Sequence, residues 1–564
     1  MHPLLTDEPG KKMLLLGNEA VVRGLLEAGC AVAAAYPGTP SSEIGNNLFF
    51  INSEEDSPIY FEFSTNEKVA MEVAAAAAAS GVRSFTCMKH VGMNVASDVM
   101  MTLAYIGVKG GMVILTADDP SMHSSQNEQD NRIFARFANL PMLEPTSPEE
   151  ARDMTIEAFG ISEELQLPVI IRTTTRTSHV RAPVALGELP KEVKSKGRFE
   201  KDPMRWVPVP AVARMRHKWL LGQMERAEEL AAGSRFNEIT GSGPLAVVCS
   251  GVAACYVKDA VRDLGCGDRV KVIKLGFTNP VPRKYLAKAL SDAEKVLVVE
   301  ELEPYLEEQI KVLLRDEGLD VPVLGKATGH FSRLYEFDPL HVAEVIAELT
   351  GSALEGRQMP DLSSIPALPM RPPTLCKGCP HRETYNNVKE ALKELGIEEN
   401  TIYPTDIGCY TLALLPPIRM ADYLTCMGSS VGTSCGFSEA TDQKVVSFIG
   451  DSTFFHSGLS PLASAVHNEH NFCLVVLDNS TTAMTGHQPN PGIQYRPPGY
   501  EKPRIAIEEV VRGLGVKEVV KINPYKKAES VEALKGVLAK DGVSVVIAEA
   551  PCILYYRKVA GGKK

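Results

Sequence analysis

Two segments in the last third of the chain constrain the fold most: "KVVSFIGDSTFFHSG" (444–458) and "FCLVVLDNSTTAMTGHQ" (472–488). Each opens on a short, predominantly apolar run with β-branched residues, the pattern of a strand covered on both faces. Gly450 permits a sharp turn into Asp451, and a helix is expected to begin near His456. The second run delivers Asp478 and Asn479. In a right-handed strand–helix–strand unit, both strands end on the same edge of the sheet. Asp451 and Asn479 are therefore expected to project from one edge. A carboxylate, a side-chain amide and a loop carbonyl offer hard oxygens to Mg²⁺, and phosphate oxygens and water would complete the octahedron. Two ordinary polar turns would give the same residues, so that reading stays open.

The rest of the chain repeats the alternation of strand and helix, which implies an α/β fold with parallel sheets. "MLLLG" (13–17) is expected to be a buried strand, with a helix after it from Glu19 to Glu27. "MVILTADDPS" and "PVIIRTTT" extend the first unit, assigned to residues 1–185. Residues 186–240 read as a connecting arm, with Trp206, Trp219 and a helical Met/Leu/Ala period. Residues 241–352 form a second α/β unit, 353–373 a proline-rich linker, and 374–564 a third unit. At 564 residues the chain is too long for one core. A net charge of −11 without a dense basic run excludes nucleic acid and anionic membrane as partners, and no apolar stretch is long enough for a membrane span. The N-terminus lacks the pattern of a secretory signal, so the expected location is the cytoplasm, where most of the 12 cysteines would be thiols or metal ligands.

Several residues carry chemistry on their own. Glu67 opens a long Ala-rich helix, where it either completes a capping box with Ser64 or presents a carboxyl to a ligand. Thr39 or Ser41 in "YPGTPSSE" can cap the next helix. Lys89 and His90 form a titratable pair. Cys376 and Cys379 in "TLCKGCPHRE" can be half a zinc site, a redox dithiol or part of an iron–sulfur site. Cys409 in "TDIGCYTL" and Cys552 in "EAPCILYY" bring the thiolates to four, a number that either zinc or a [4Fe–4S] cluster accepts. Cys249, Cys255 and Cys473 read as core.

"GDSTFFHSG…LVVLDNSTTAMTGHQ" resembles the thiamine-diphosphate motif, and "E-x-x-A" at Glu67 resembles the pyrimidine-domain motif of the same enzymes. "YPGTPSSE" resembles a stretch of the 2-oxoacid:ferredoxin oxidoreductases. Nearly the whole chain is similar to the alpha subunits of the indolepyruvate:ferredoxin type, including "EKVLVVEELEPYLEEQI" (294–310). The resemblance implies two thiamine-diphosphate-binding folds, pyrimidine and diphosphate, with a transketolase-C-like domain between them. It makes Asp451, Asn479 and the carbonyl of Thr481 the magnesium ligands. It places Gly428, Gly450, Ser452 and Thr485 around the cofactor, and His381 near the diphosphate. Glu67 would face the aminopyrimidine, Thr39 would contact the substrate carboxylate, and Lys89 and His90 would line the pocket. Cys376, Cys379, Cys409 and Cys552 match, in order, the ligands of one [4Fe–4S] cluster.

The implied reaction converts an (aryl)pyruvate and coenzyme A to acyl-CoA and CO₂, with electrons leaving singly to ferredoxin or another acceptor. Such alpha subunits commonly continue into a ferredoxin-like domain, whereas this sequence stops at "RKVAGGKK". The onward electron path is therefore expected in another polypeptide. A smaller beta subunit is expected to help close the coenzyme A site in a hetero-oligomer such as α2β2. Two other readings stand beside this one. The first is a non-oxidative decarboxylase or carboligase, which would lack iron and acid-labile sulfide. The second is a catalytically silent, cofactor-holding subunit, in which Glu67→Gln would change no turnover.

Overall fold

The computed structural model describes residues 2–354, 365–366, 369, 371–494 and 502–559. Most of the expected proline-rich linker, residues 355–364, 367–368 and 370, lies outside them. The chain forms two compact units, Met1–Asp361 and Leu362–Lys564. Among the described residues no helix is long and apolar enough to cross a membrane.

The first unit holds a seven-stranded sheet in the order Phe277–Asn279, Met142–Leu143, Val169–Thr174, Met112–Asp118, Ser84–Lys89, Val32–Ala35, Tyr60–Phe63. All neighbours are parallel except the first pair. The central strand Met112–Asp118 is buried along its whole length, as helices on both faces require. A five-stranded sheet follows in the order Val323–Leu324, Lys295–Val299, Leu245–Ser250, Val270–Leu275, Glu238–Gly241, with only the last strand antiparallel.

The structure departs from the sequence reading at three places in this unit. The strand Lys12–Leu16 is not buried in the parallel sheet. It pairs antiparallel with Arg181–Ala185 in a two-stranded ribbon, and Leu14 stands exposed. The boundary drawn at residue 240 cuts the strand Glu238–Gly241, which belongs to the second sheet. In return, Phe277–Asn279 leaves the second segment and joins the first sheet, where Phe277 is fully buried. The connecting arm forms a helix, as its Met/Leu/Ala period implied. Its helix Pro210–Ala232 buries Leu220 and Ala227 against Met71, Met100 and Leu103, one turn-spaced stripe on the first core. Arg216 donates to the carbonyls of Tyr105 (2.8 Å) and Ile106 (3.1 Å).

One buried arginine, Arg132, ties the loops of the two sheets together, and a second, Arg172, braces the loops of the first. Arg132 donates to Glu300 (2.7 Å) and to both oxygens of Asp130, and reaches the carbonyls of Glu301 and Glu303. Arg172 donates to Asp118 (2.6 Å) and Glu144 (2.7 Å).

The second unit is a five-stranded parallel sheet in the order Thr401–Ile402, Lys444–Gly450, Phe472–Asp478, Val543–Glu549, Glu518–Ile522. Its apolar runs alternate between two cores. Phe448, Cys473, Val475 and Leu477 pack with Tyr385, Val388 and Leu534. Ile449, Phe472, Leu474 and Val476 pack with Val431, Leu462 and Val511. Both faces are therefore dry, which explains runs without polar alternation.

Arg132→Ala leaves Asp130 and Glu300 as buried charges without their partner. Removing one member of a buried pair costs about 3–5 kcal/mol, so thermal unfolding of the variant is expected well below that of the wild type. A variant within about 1 kcal/mol of wild type, the range of an exposed pair, contradicts this account of the network.

Candidate active site

In the second unit the parallel register sets Gly450 beside Leu477, so the residues that follow both strands emerge on one edge. Asp451 is buried. Its Oδ1 accepts from the Ser452 N–H (2.7 Å), while Oδ2 is buried with no hydrogen-bond partner. Burial, and then the Asp478 carboxylate, push the Asp451 carboxyl up to about 8. The helical stretch begins at Asp451 itself rather than near His456, and runs through a π-helical turn at Phe454–Gly458. Asn479 follows the next strand. Its Oδ1 accepts from the Thr481 N–H (3.1 Å) and its Nδ2 donates to His381 Nε2 (3.0 Å). Burial pulls His381 down to about 4, so the ring is neutral with its proton on Nδ1. The loop after Asn479 folds onto Gln488, which accepts from the Thr485 hydroxyl (2.7 Å) and donates back to the Thr485 carbonyl (2.7 Å). The Thr482 hydroxyl reaches Ser452 Oγ (2.9 Å).

Two glycines permit close approach here. A Cβ on Gly450 would lie 2.7 Å from the Tyr410 ring, and one on Gly428, where φ is +87°, would lie 2.2 Å from Ser457 Cβ. Gly428 precedes the helix Ser429–Ala440. Its N–H and that of Ser430 donate to the two oxygens of Asp406 (2.5 and 3.0 Å), whose carboxyl burial pushes up to about 6. Asp406 is a residue the sequence reading passed over, and its only sequence signal is an acidic side chain just before "IGC".

Cys376, Cys379, Cys409 and Cys552 are near enough to act on one another's thiols. Cys379 precedes the helix Pro380–Glu394. A Cβ on the neighbouring Gly378 would touch Ile553, next to Cys552, and the Cys552 N–H donates to the Asn479 carbonyl (2.9 Å). Burial, and then Cys379, Cys552 and Cys376, push the Cys409 thiol up to about 12. Cys409 opens the 3-10 helix Cys409–Leu414 and does not end a strand. Among the described residues no three His, Cys, Asp or Glu side chains stand close enough together to hold a metal ion. Cys249 and Cys473 are core residues, and Cys255 is half-buried.

In the first unit, four adjacent parallel strands bring Thr39, Glu67, Lys89 and Asp119 to one edge. Glu67 is buried at the start of the helix Glu67–Ala79. The capping box with Ser64 does not form. Asn66 caps the helix through the Val69 N–H (2.9 Å), while Ser64 donates to Glu62 (2.8 Å). A Cβ on Gly92 would lie 2.6 Å from Glu67 Oε1, so the facing helix needs a glycine there. Glycine in a first helical turn was a signal available in the sequence. Lys89 Nζ donates to the Ser124 carbonyl (2.9 Å), and burial pulls it down to about 8 against the opposing charges of Asp119 and Glu67. His90 Nε2 donates to the Asn127 carbonyl (3.0 Å), leaving Nδ1 buried without a partner. Burial, then Lys89, pull the ring down to about 4. Neither proposed cap hydroxyl caps the helix Ser42–Asn52. Ser41 donates to the Gly38 carbonyl (2.8 Å), and the hydroxyls of Thr39 and Ser42 pair with each other (3.1 Å).

A family model described as "Pyruvate flavodoxin/ferredoxin oxidoreductase, thiamine diP-bdg" matches residues 23–229, and one described as "Thiamine pyrophosphate enzyme, C-terminal TPP binding domain" matches residues 406–548. The parallel sheets and these matches define a class, the thiamine-diphosphate-dependent 2-oxoacid oxidoreductases. Indolepyruvate oxidoreductase subunit IorA of Methanothermobacter thermautotrophicus is 51% identical over 100% of this chain and 90% of its own length. The subunits of that name from Pyrococcus abyssi and Archaeoglobus fulgidus are 46% and 41% identical, over 98% and 99% of this chain and 87% and 89% of theirs. The chain belongs to this family of indolepyruvate oxidoreductase subunits.

The raised Asp451 carboxyl has a consequence for stability. The folded chain without metal holds a proton there that the unfolded chain releases near pH ~4. Stability therefore falls as pH rises from that value to about 8. Asp451→Asn removes this dependence, so in EDTA the variant should gain on wild type between those limits and level off above them. Thermal unfolding with no pH-dependent difference between the two would contradict it.

Proposed function

We propose that this chain is the catalytic subunit of an enzyme that oxidatively decarboxylates an aryl 2-oxoacid of the indolepyruvate type to acyl-CoA and CO₂. Two electrons would pass to ferredoxin or a similar acceptor, and a [4Fe–4S] cluster held by this chain would supply the one-electron chemistry. The observation that carries the reading is the likeness, along the whole chain, to subunits named indolepyruvate oxidoreductase. Thiamine diphosphate, when bound, supplies the electron sink for loss of CO₂.

The protein's own residues divide the work. Asp451, Asn479 and the carbonyl of Thr481 would hold Mg²⁺, and the unpartnered Oδ2 of Asp451 is the oxygen that fits this role. Neutral His381 holds the Asn479 amide so that Oδ1 keeps a free lone pair. Gly428, Gly450, Ser452 and Thr485 would shape the cradle. Glu67 would exchange a proton at N1′ of the aminopyrimidine, in a site dry enough to keep that proton from water. Thr39 would bind the substrate carboxylate beside the Lys89 ammonium, with His90 neutral at the wall. Cys376, Cys379, Cys409 and Cys552 would hold the cluster, whose soft thiolate set suits iron. A smaller beta subunit would complete the coenzyme A site in an assembly such as α2β2 in the cytoplasm.

The test is an anaerobic assay of the chain with its companion subunit, a panel of 2-oxoacids, coenzyme A and a one-electron dye, alongside iron and acid-labile sulfide analysis. Arylpyruvates should be turned over best, by protein with about four irons per chain. Zinc in place of iron, or decarboxylation without dye reduction, would favour the non-oxidative reading. Glu67→Gln should keep Mg²⁺-dependent thiamine diphosphate affinity by calorimetry but lose about 10²–10⁴ in turnover. Wild-type turnover in that variant would leave Glu67 with only a structural role.

A further inference from the structure

Two surface loops meet beside the residues assigned to the 2-oxoacid. The first, residues 119–130, leaves the strand Met112–Asp118 at the edge that carries Glu67. Its backbone holds the pocket residues. The Ser124 and Asn127 carbonyls accept from Lys89 and His90, and the Ser124 hydroxyl donates to the Thr39 carbonyl (3.2 Å). Asp119 braces the loop from its start, accepting from the Ser124 N–H (2.9 Å), the Ser125 hydroxyl (2.7 Å) and the Thr175 hydroxyl (2.7 Å).

The second loop, residues 332–337, comes from the segment of the five-stranded sheet. One carboxylate oxygen joins the two. Glu128 Oε1 accepts from the Ser121 N–H (2.6 Å) and from the Tyr335 N–H (3.0 Å). Ser121 Oγ accepts from the Glu336 N–H (2.9 Å), and Arg176 grips both oxygens of Glu336 (2.9 and 2.7 Å). The bonded residues are not at rest. Ser121, Met122 and Tyr335 sit at φ of +71°, +51° and +69°, a region that side chains other than glycine's rarely adopt. Such a conformation persists where its surroundings over-determine it, and it gathers at functional sites.

We propose that Glu128 is a positioning residue for the 2-oxoacid pocket. It latches the 119–130 loop to the 332–337 loop and so fixes the carbonyls that aim Lys89 and His90. The inference rests on the proposed assignment of Thr39, Lys89 and His90 to that pocket. Both bonds use a single oxygen of Glu128, so a glutamine carbonyl can replace it.

The test compares Glu128→Ala and Glu128→Gln in the assembled holoenzyme. Hydrogen exchange, which needs no turnover, reads the latch directly. The Ser121 and Tyr335 amides should exchange roughly tenfold faster in the alanine variant and near wild-type rates in the glutamine variant. The KM for the 2-oxoacid should rise about tenfold in the alanine variant with kcat within about twofold, and glutamine should restore it. Unchanged exchange in Glu128→Ala overturns the latch. Faster exchange with wild-type KM overturns the positioning role. A wild-type holoenzyme that turns over no 2-oxoacid refutes the proposed function and with it the pocket role, while the exchange rates still decide whether the latch exists.

Discussion

The site in the second unit depends on one register. The strands Lys444–Gly450 and Phe472–Asp478 run parallel with Gly450 opposite Leu477. A slip of one residue would turn every side chain of either strand to the other core and carry Asp451 away from Asn479. That register is held because both faces are buried and each face has its own partners, Tyr385 and Leu534 on one side, Val431 and Leu462 on the other. Chemistry that needs two oxygens at one edge is thus secured by apolar packing several residues away.

Against that rigid frame, the edge itself is left electrostatically unfinished. Asp451 and Asp478 are two carboxyls buried side by side, and one oxygen of Asp451 has no donor. A buried group left unsatisfied in this way costs about 1–3 kcal/mol, more when it is charged. A divalent cation would remove the cost, because it satisfies the oxygen and lets the carboxyl ionise. The neighbouring polar groups are already spoken for. His381 is bonded to Asn479, Thr485 to Gln488, and Asp406 to the turn at Gly428. These bonds fix the side chains around the edge, and pre-organisation of that kind favours tight and selective binding.

How much was legible in the sequence follows from the range of the forces involved. The strands of the second unit could be read because β-branched runs ended by Gly-Asp and Asp-Asn are local signals. The placement of Asp451 and Asn479 on one edge followed from the handedness of parallel connections, a rule that needs no coordinates. The failures were nonlocal. Nothing within "MLLLG" says that it pairs with Arg181–Ala185 rather than entering the main sheet. The return of Phe277–Asn279 to the first sheet is decided by a contact with Met142–Leu143, more than a hundred residues earlier. Asp406 and Glu128 were missed for a similar reason: each acts on backbone amides, which carry no residue identity. Ser64 and Glu67 have the spacing of a capping box, yet the adjacent Asn66 caps the helix.

We propose that the edge built by Asp451, Asn479 and the Thr481 carbonyl is a magnesium–diphosphate site. Isothermal titration of the chain with thiamine diphosphate, in Mg²⁺ and again in EDTA, tests it most directly. The account predicts one site per chain in Mg²⁺ and none in EDTA. Equal binding in both, or no binding in either, would contradict it.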